Sequence, residues 1–491
     1  MTAKELFSKI GCNAPVPDRE VVTITEVALR TDANSIFVCI KGARADGHDY
    51  AKEAYERGCR LFVAEKDLDL PIDAFVLVVK DTRLAIANLA CSFYENPSHQ
   101  MRLIGVTGTK GKTTTARLIA EILNAEGIPC GYIGTNGIHY ADVRLDTNNT
   151  TPDAMTLQAT LADMLRRGVK AAVIEVSSQA LMQYRVDDTH FEGVVFTNLS
   201  PDHIGPREHR DFAHYRDCKR RLFTDFEATH AICNVDDVAT EFMLDGSAIP
   251  FVTYCTAGTA EADFAARDIC LLQKKDFLGV SFFLVAKGNS PISCELALTG
   301  AFNVSNALLA TATAARVFGI SPEAAVRTLA KTRVEGRAEL IALPRGVAVI
   351  DYAHNRVSLE QLLTTLRQYS PKRLIVLFGS VGERSQMRRR ELGEVVSRLA
   401  DHAILTSDNP AGEDPNAIID EIAAAFECGK ATYERIPDRR HAIEHAVKLL
   451  QDGDILVLAG KGHEEYQLIG SEKIPFSERK ILESVGSVSI D

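Results

Sequence analysis

Apolar and polar positions alternate along the chain in three successive α/β patterns. In the first, short apolar runs at Ser35–Ile40, Leu61–Ala64 and Phe75–Val79 are interleaved with helical periodicity over Asp49–Arg57 and Thr82–Tyr94. A polar break, Glu95-Asn96-Pro97-Ser98-His99-Gln100, closes it. The second opens on the apolar run Arg102–Thr107, followed by a glycine turn and an amphipathic stretch over Lys112–Ala125; further runs lie at Ala171–Val176 and Gly193–Thr197. From about Val334 the pattern returns, with runs at Val347–Ile350, Arg373–Phe378, Ala403–Thr406 and Asp454–Ala459 separated by helix-length stretches. Strands buried on both faces of a parallel sheet are apolar throughout rather than alternating, and these are. The expected fold class is α/β in three domains, residues 1–98, 99–333 and 334–491, the last a Rossmann-like doubly wound sheet.

The length of 491 residues agrees with that division, since domains average roughly 150 residues. A composition of 46% apolar and 25% charged residues is ordinary for a packed protein. The net charge of -11 argues against non-specific nucleic-acid or membrane binding, which reward excess positive charge. No apolar run approaches the ~18 residues of a membrane span, and the first residues lack a signal-peptide pattern. The eleven cysteines are scattered without a C-x-x-C pair, several inside apolar runs such as Ile36-Phe37-Val38-Cys39-Ile40. There a thiol behaves as a small hydrophobe, which suits a reducing cytoplasm.

The strongest chemical signal is Gly105-Val106-Thr107-Gly108-Thr109-Lys110-Gly111-Lys112-Thr113-Thr114, between an apolar strand and an amphipathic helix. Glycines let backbone N–H groups face phosphates, and the helix N-terminus adds partial positive charge. Lys112 is placed to reach the β- and γ-phosphates and the Thr113 hydroxyl to hold Mg²⁺. Val106 stands where the usual motif has its first glycine. The central domain is therefore expected to be a P-loop ATPase-type parallel sheet that binds ATP.

Gly108-Thr109-Lys110-Gly111-Lys112-Thr113-Thr114 resembles the ATP loop of the Mur ligases and folylpolyglutamate synthetases. Further stretches extend the resemblance to the Mur ligases: Thr147-Asn148-Asn149-Thr150-Thr151-Pro152-Asp153, Glu175-Val176-Ser177-Ser178-Gln179, Gln183-Tyr184-Arg185 and Asn198-Leu199-Ser200-Pro201-Asp202-His203. Gly300-Ala301-Phe302-Asn303-Val304-Ser305-Asn306, Asp351-Tyr352-Ala353-His354 and Asp408-Asn409-Pro410 follow in the same order. The resemblance implies an ADP-forming ligase of peptidoglycan precursor synthesis, with ATP and Mg²⁺ as cofactors. The substrates would be UDP-N-acetylmuramoyl-L-alanyl-D-glutamate and a diamino acid, joined through an acyl phosphate by a cytoplasmic monomer. A P-loop kinase or motor ATPase would need no Asp408-Asn409-Pro410 motif, and a regulatory protein that had lost catalysis would not keep Lys112, Thr113, Glu175, His203 and Lys219 together. Folylpolyglutamate synthetase fits the Asn149–Pro152 and Asp408–Pro410 stretches less well.

Glu175 closes an apolar strand, a Walker-B-like placement for a Mg²⁺ ligand, and His203 follows the next strand. Tyr215 and Lys219 are i,i+4 neighbours beside an apolar helix face. The resemblance implies that Lys219 is carbamylated (N6-carboxylysine), which turns a cation into an anionic oxygen donor suited to Mg²⁺. It also implies Asn303 and Asn306 on the adenine side, and Arg337 and Asp351 around the phosphates and ribose. Thr150, Thr151, Ser177, Gln183 and Arg185 would grip the diphosphate and peptide, and Lys41–His48 would lie around the uridine. Arg384 and Glu464 would meet the incoming amino acid's own carboxylate and amine, beside Asp408 and Asn409. In the family that this chain resembles, members that add meso-diaminopimelate carry Arg after Asn-Pro to bind its distal carboxylate, where this chain has Ala411. With Glu413 and Asp414 close by, that favours a distal ammonium, hence L-lysine, with ornithine or meso-diaminopimelate as alternatives. The run Arg388-Arg389-Arg390 has the composition of a solvated helix start.

Overall fold

The computed structural model describes residues 1–12, 14–42, 45–147, 149–205, 208–257, 261–274, 277–383, 386–427 and 429–486. It is an α/β protein whose chain separates into two compact units, residues 1–264 with 309–325, and residues 265–308 with 326–491.

The first unit begins with a four-stranded parallel sheet, ordered Thr23–Thr25, Ser35–Val38, Leu61–Ala64, Phe75–Val78. Successive side chains alternate between its faces: Ile36, Val38, Leu61 and Val63 pack with Phe7 and Leu89, whereas Phe37 and Phe62 pack with Ala51 and Ala54. Both faces are thus covered by helices, which explains the unbroken apolar runs. The helix Thr82–Phe93 places Ala87 and Ala90 against Ala154 of the helix Ala154–Arg166, seating this sheet on the rest of the unit.

The P-loop strand Arg102–Thr107 lies between Ala171–Glu175 and Gly193–Phe196, parallel to both. His230–Asn234 and Phe251–Cys255 extend the sheet on one side. Cys130–Gly134 extends it in parallel on the other, followed by antiparallel Gly137–Tyr140 and Val143–Leu145. The expected helix Lys112–Ala125 is found at those bounds.

In the second unit, Glu339–Ala342, Val347–Asp351, Ile455–Ala459, Leu374–Phe378, His402–Leu405 and Thr432–Arg435 form a six-stranded sheet in that order. All neighbours are parallel except the Glu339–Ala342 edge. This is the doubly wound sheet expected of the C-terminal region, with apolar clusters on both faces. Antiparallel strands at Phe277–Ala286 and Ile292–Leu296, where Phe282 pairs with Cys294, lie outside the sequence expectation. Their burial alternates along the strand, so they lack the continuous apolar runs that marked the parallel strands.

Candidate functional site

The strand Arg102–Thr107 delivers its carboxyl end to the loop before the helix Lys112–Ala125. Gly108 has φ +145°, and a Cβ there would collide with Thr197 Oγ1, so only glycine fits. Asn198 holds the loop. Its carbonyl accepts from Thr109 N–H at 2.8 Å, its Oδ1 from Lys110 N–H at 3.0 Å, and its Nδ2 donates to Lys110 O at 3.0 Å. Lys110 Nζ pairs with Asp202 Oδ2 at 3.4 Å. Burial of the Asp202 carboxyl is outweighed by Lys110 and His203, which hold it below the usual carboxylate range. Lys112 Nζ folds back on its own loop, donating to Gly108 O at 2.9 Å and Thr109 O at 3.1 Å. Thr113 and Thr114 are buried in the first helical turn.

Thr113 Oγ1 donates to Glu175 Oε2 at 2.9 Å, joining the two oxygen ligands expected for Mg²⁺. Glu175 is fully buried. Its other donors are Tyr132 O–H at 2.5 Å, Thr135 N–H at 3.0 Å and Thr135 Oγ1 at 3.2 Å. Every one is neutral, and among the described residues Glu175 has no ion pair. A buried carboxylate without a cation is costly, and the oxygens gathered here, from Glu175, Thr113 and Thr135, suit a hard divalent ion. The site therefore fits Mg²⁺. Gly134 leaves room for the arrangement, since a Cβ there would strike Glu175 Oε1 and Tyr132 Oη. Tyr132 and Thr135 were not singled out from sequence, because nothing local marks them as partners of Glu175.

Lys219 is 1% exposed on the helix Phe212–Thr224, with Nζ 2.8 Å from Gly108 O and 4.7 Å from the centre of the Tyr215 ring. Burial first, then the charge of Lys112, push its ammonium well below the ordinary lysine value, Asp202 opposing. Tyr215 is locked by a 3.0 Å hydrogen bond between its hydroxyl and Thr109 Oγ1. His203 has φ +54° and a half-exposed side chain, with Nδ1 3.0 Å from Glu208 Oε1.

The residues expected to grip the precursor are neighbours. Thr150 Oγ1 lies 3.1 Å from Thr135 Oγ1. The Thr151 hydroxyl is taken up by Glu175 O at 2.7 Å and Ser177 N–H at 3.0 Å, so it shapes the turn after Glu175. Ser177 caps the helix Ser178–Met182 through Ala180 N–H. Arg185 donates to Thr151 O at 2.8 Å and to Gln183 Oε1 at 2.7 Å, which aligns the guanidinium. In the Lys41–His48 loop, Ala43 and Arg44 lie outside the described residues.

In the second unit, Asn303 and Asn306 are buried at the start of the helix Phe302–Phe318, Asn306 Nδ2 donating to Asn303 Oδ1 at 2.8 Å. Arg337 stands 5.4 Å over the Tyr352 ring, and its Nε has no hydrogen-bond partner among the described residues. Asp351 accepts from Ala338 N–H at 2.7 Å; burial raises its carboxyl and Arg337 partly offsets this.

Asp408, Asn409 and Glu464 converge on Lys461, a residue outside the sequence expectation. The Lys461 ammonium is fully buried and lies 2.9 Å from Asn409 Oδ1, 3.1 Å from Glu464 Oε2 and 3.7 Å from Asp408 Oδ1. Asn409 Nδ2 also donates to Glu464 Oε2 at 2.9 Å. The clue was Lys461's position just past the strand Ile455–Ala459, at the carboxyl edge where such sheets bind ligands. Arg384 lies outside the described residues.

Two expectations are corrected. Arg389 is not solvated: it is buried, paired with Glu413 at 2.7 Å and Glu421 at 3.2 Å, while Arg390 is exposed. The charges of Glu413 and Asp414 are already committed, Glu413 to Arg389 and Asp414 to capping the helix Pro415–Ala423. They lend less weight to a distal ammonium than their sequence position suggested. Ala411 itself has φ +52°, its N–H donating to Leu468 O and its carbonyl accepting from Gly470 N–H.

Three family descriptions match the chain: Mur ligase family, catalytic domain, over residues 30–94; Mur ligase middle domain over 106–314; and Mur ligase, glutamate ligase domain over 336–462. The UDP-N-acetylmuramoyl-L-alanyl-D-glutamate–2,6-diaminopimelate ligase of Bacillus cereus is 38% identical, over 95% of this chain and 94% of that protein. The ligase of the same name from Chlorobaculum tepidum is 40% identical, over 95% and 92%. A solved structure of a ligase with that name superposes with a TM-score of 0.71 at 29% identity, covering 99% of each chain.

Proposed function

The chain belongs to the Mur ligase family of ATP-dependent ligases, and from that premise we propose that it adds a diamino acid to UDP-N-acetylmuramoyl-L-alanyl-D-glutamate in the cytoplasm. Residues 1–98 are assigned to the precursor nucleotide, 99–333 to ATP and 334–491 to the amino acid. The observation that carries this reading is the buried Glu175 carboxylate, ringed by neutral donors and joined to Thr113 at the first turn of the P-loop helix.

The bound carboxylate of the precursor attacks the γ-phosphorus of ATP, giving an acyl phosphate and ADP. The amine nitrogen then attacks the acyl carbon, a C–N bond forms, the C–O bond to phosphate breaks, and the nitrogen loses a proton. Lys112 leaves Gly108 O and Thr109 O for the β- and γ-phosphates. Thr113, Glu175, His203 and carbamylated Lys219 are the groups that would hold Mg²⁺, which neutralises charge between the two reacting anions. Arg185, aligned by Gln183, orients the peptide. Glu464, held by Lys461 and Asn409, meets the incoming amine.

The relatives' names favour meso-diaminopimelate as the amine. L-Lysine is the second reading, carried by Ala411, which cannot form the ion pair that an arginine there makes with a distal carboxylate. Phosphate release with purified enzyme, precursor, ATP and Mg²⁺, and L-lysine, L-ornithine or meso-diaminopimelate in turn, tests both. Release that depends on precursor and one amine together is expected. A stable phosphorylated product formed without any amine would replace this reading with a kinase.

A further inference from the structure

Near Lys219 lies a cluster of different chemistry that the ligase reaction does not use. His214 and Cys218 are one turn apart on the helix Phe212–Thr224, and His209 precedes its cap Asp211. One donor atom from each of His209, His214 and Cys218 lies within 4.8 Å of the others. The rings of His209 and His214 are 5.0 Å apart at 69°.

Two features point to a ligand. His209 is fully buried, and its Nδ1 has no hydrogen-bond partner among the described residues; nor has the buried Nδ1 of His214. The opposite nitrogen of His209, Nε2, lies 2.9 Å from Ser178 Oγ. With the proton on Nε2, Ser178 fixes the tautomer that leaves an in-plane lone pair on Nδ1, the outer-shell arrangement of metal-binding histidines.

We infer that His209, His214 and Cys218 form a binding site for a divalent transition-metal ion of zinc's type, separate from the oxygen-lined position at Thr113 and Glu175. A two-nitrogen, one-sulfur set suits a borderline-soft ion and discriminates against Mg²⁺. Tetrahedral zinc, with bonds of about 2.0–2.3 Å, sets donors ~3.3–3.8 Å apart, so the atoms draw in by about 1 Å. His214, only partly buried, can move that far. Three protein ligands leave a fourth position for water. The ion would brace the segment before the helix against the helix that carries Lys219.

The test uses the full chain in excess Mg²⁺. Titration with Co²⁺ is expected to give one equivalent of tetrahedral visible absorption and a near-ultraviolet thiolate-to-metal band, both displaced by Zn²⁺. Cys218→Ser should abolish the thiolate band, and His214→Gln, which removes a direct ligand, should weaken Zn²⁺ binding by at least the roughly 10- to 100-fold that losing an outer-shell partner costs. Cys270→Ser, at an exposed cysteine, should change neither. A wild-type chain without the thiolate band, or a band that survives Cys218→Ser, would overturn the proposal. If Cys218→Ser does not fold, by circular dichroism, His214→Gln decides: unchanged Zn²⁺ affinity overturns it.

Discussion

The ammonium groups of Lys112 and Lys219 converge on one acceptor, the carbonyl oxygen of Gly108, at 2.9 and 2.8 Å. Two cations so close repel, and the buried one yields: the neutral amine of Lys219 is favoured by burial and by the charge of Lys112. A neutral amine is the form that attacks CO₂. The pair thus links the loop proposed to grip phosphate to the lysine proposed to become a carbamate.

Lys219→Ala is expected to lower kcat about 100-fold or more, the scale of removing a group that stabilises developing charge. Short carboxylic acids should restore part of that loss by supplying the missing oxygen donor. Steady-state rates with and without added acid check it; no restoration would refute the carbamate.

Thr113→Val removes the hydroxyl proposed to hold Mg²⁺ and the 2.9 Å bond to Glu175 while keeping the side chain's shape. The expected result is a loss of about 10- to 100-fold in kcat at saturating ATP, with a raised Mg²⁺ requirement. Single-turnover phosphate release across a Mg²⁺ series measures it. An unchanged Mg²⁺ dependence would remove Thr113 from the ion's surround.

His139 makes stability depend on pH. Its Nδ1 faces Arg117 at 2.9 Å and Arg144 at 2.7 Å. Burial, then those two charges, lower its pKa from an ordinary 6.5 to about 4. Between these values the unfolded chain takes up a proton that the folded chain refuses, so stability falls as pH falls through that window. Urea midpoints near pH 7.5 and near pH 5 should therefore converge more closely in His139→Gln than in the wild type.

Arg389→Met strands Glu413, which also accepts from Glu383 N–H beside the Asp408–Asp414 loop. Breaking a buried pair costs about 3–5 kcal/mol. Glu413 and Glu421 are 34% and 37% exposed, so water compensates and about 1–3 kcal/mol is expected. The KM for the amino acid should rise by about tenfold, equivalent to 1.4 kcal/mol, with the KM for ATP little changed. Equal rises in both would show a general loss of structure instead.

The strands that read as continuous apolar runs and the P-loop were legible from sequence because their signals are local. An apolar run buried on both faces, a glycine that must adopt φ +145° at position 108 and a lysine opening a helix are written in consecutive residues. The order of motifs pointed to the ligase family for the same reason. Tertiary structure alone decided what the charges do. Nothing near Glu175 announces that Tyr132 and Thr135, some forty residues earlier, will ring its carboxylate with neutral donors. Nor does Arg388-Arg389-Arg390 reveal that its middle guanidinium turns inward to two glutamates. The same holds for Lys461, which gathers Asn409 and Glu464. Electrostatic roles depend on burial and on partners brought together by folding, and the local pattern of a chain carries neither.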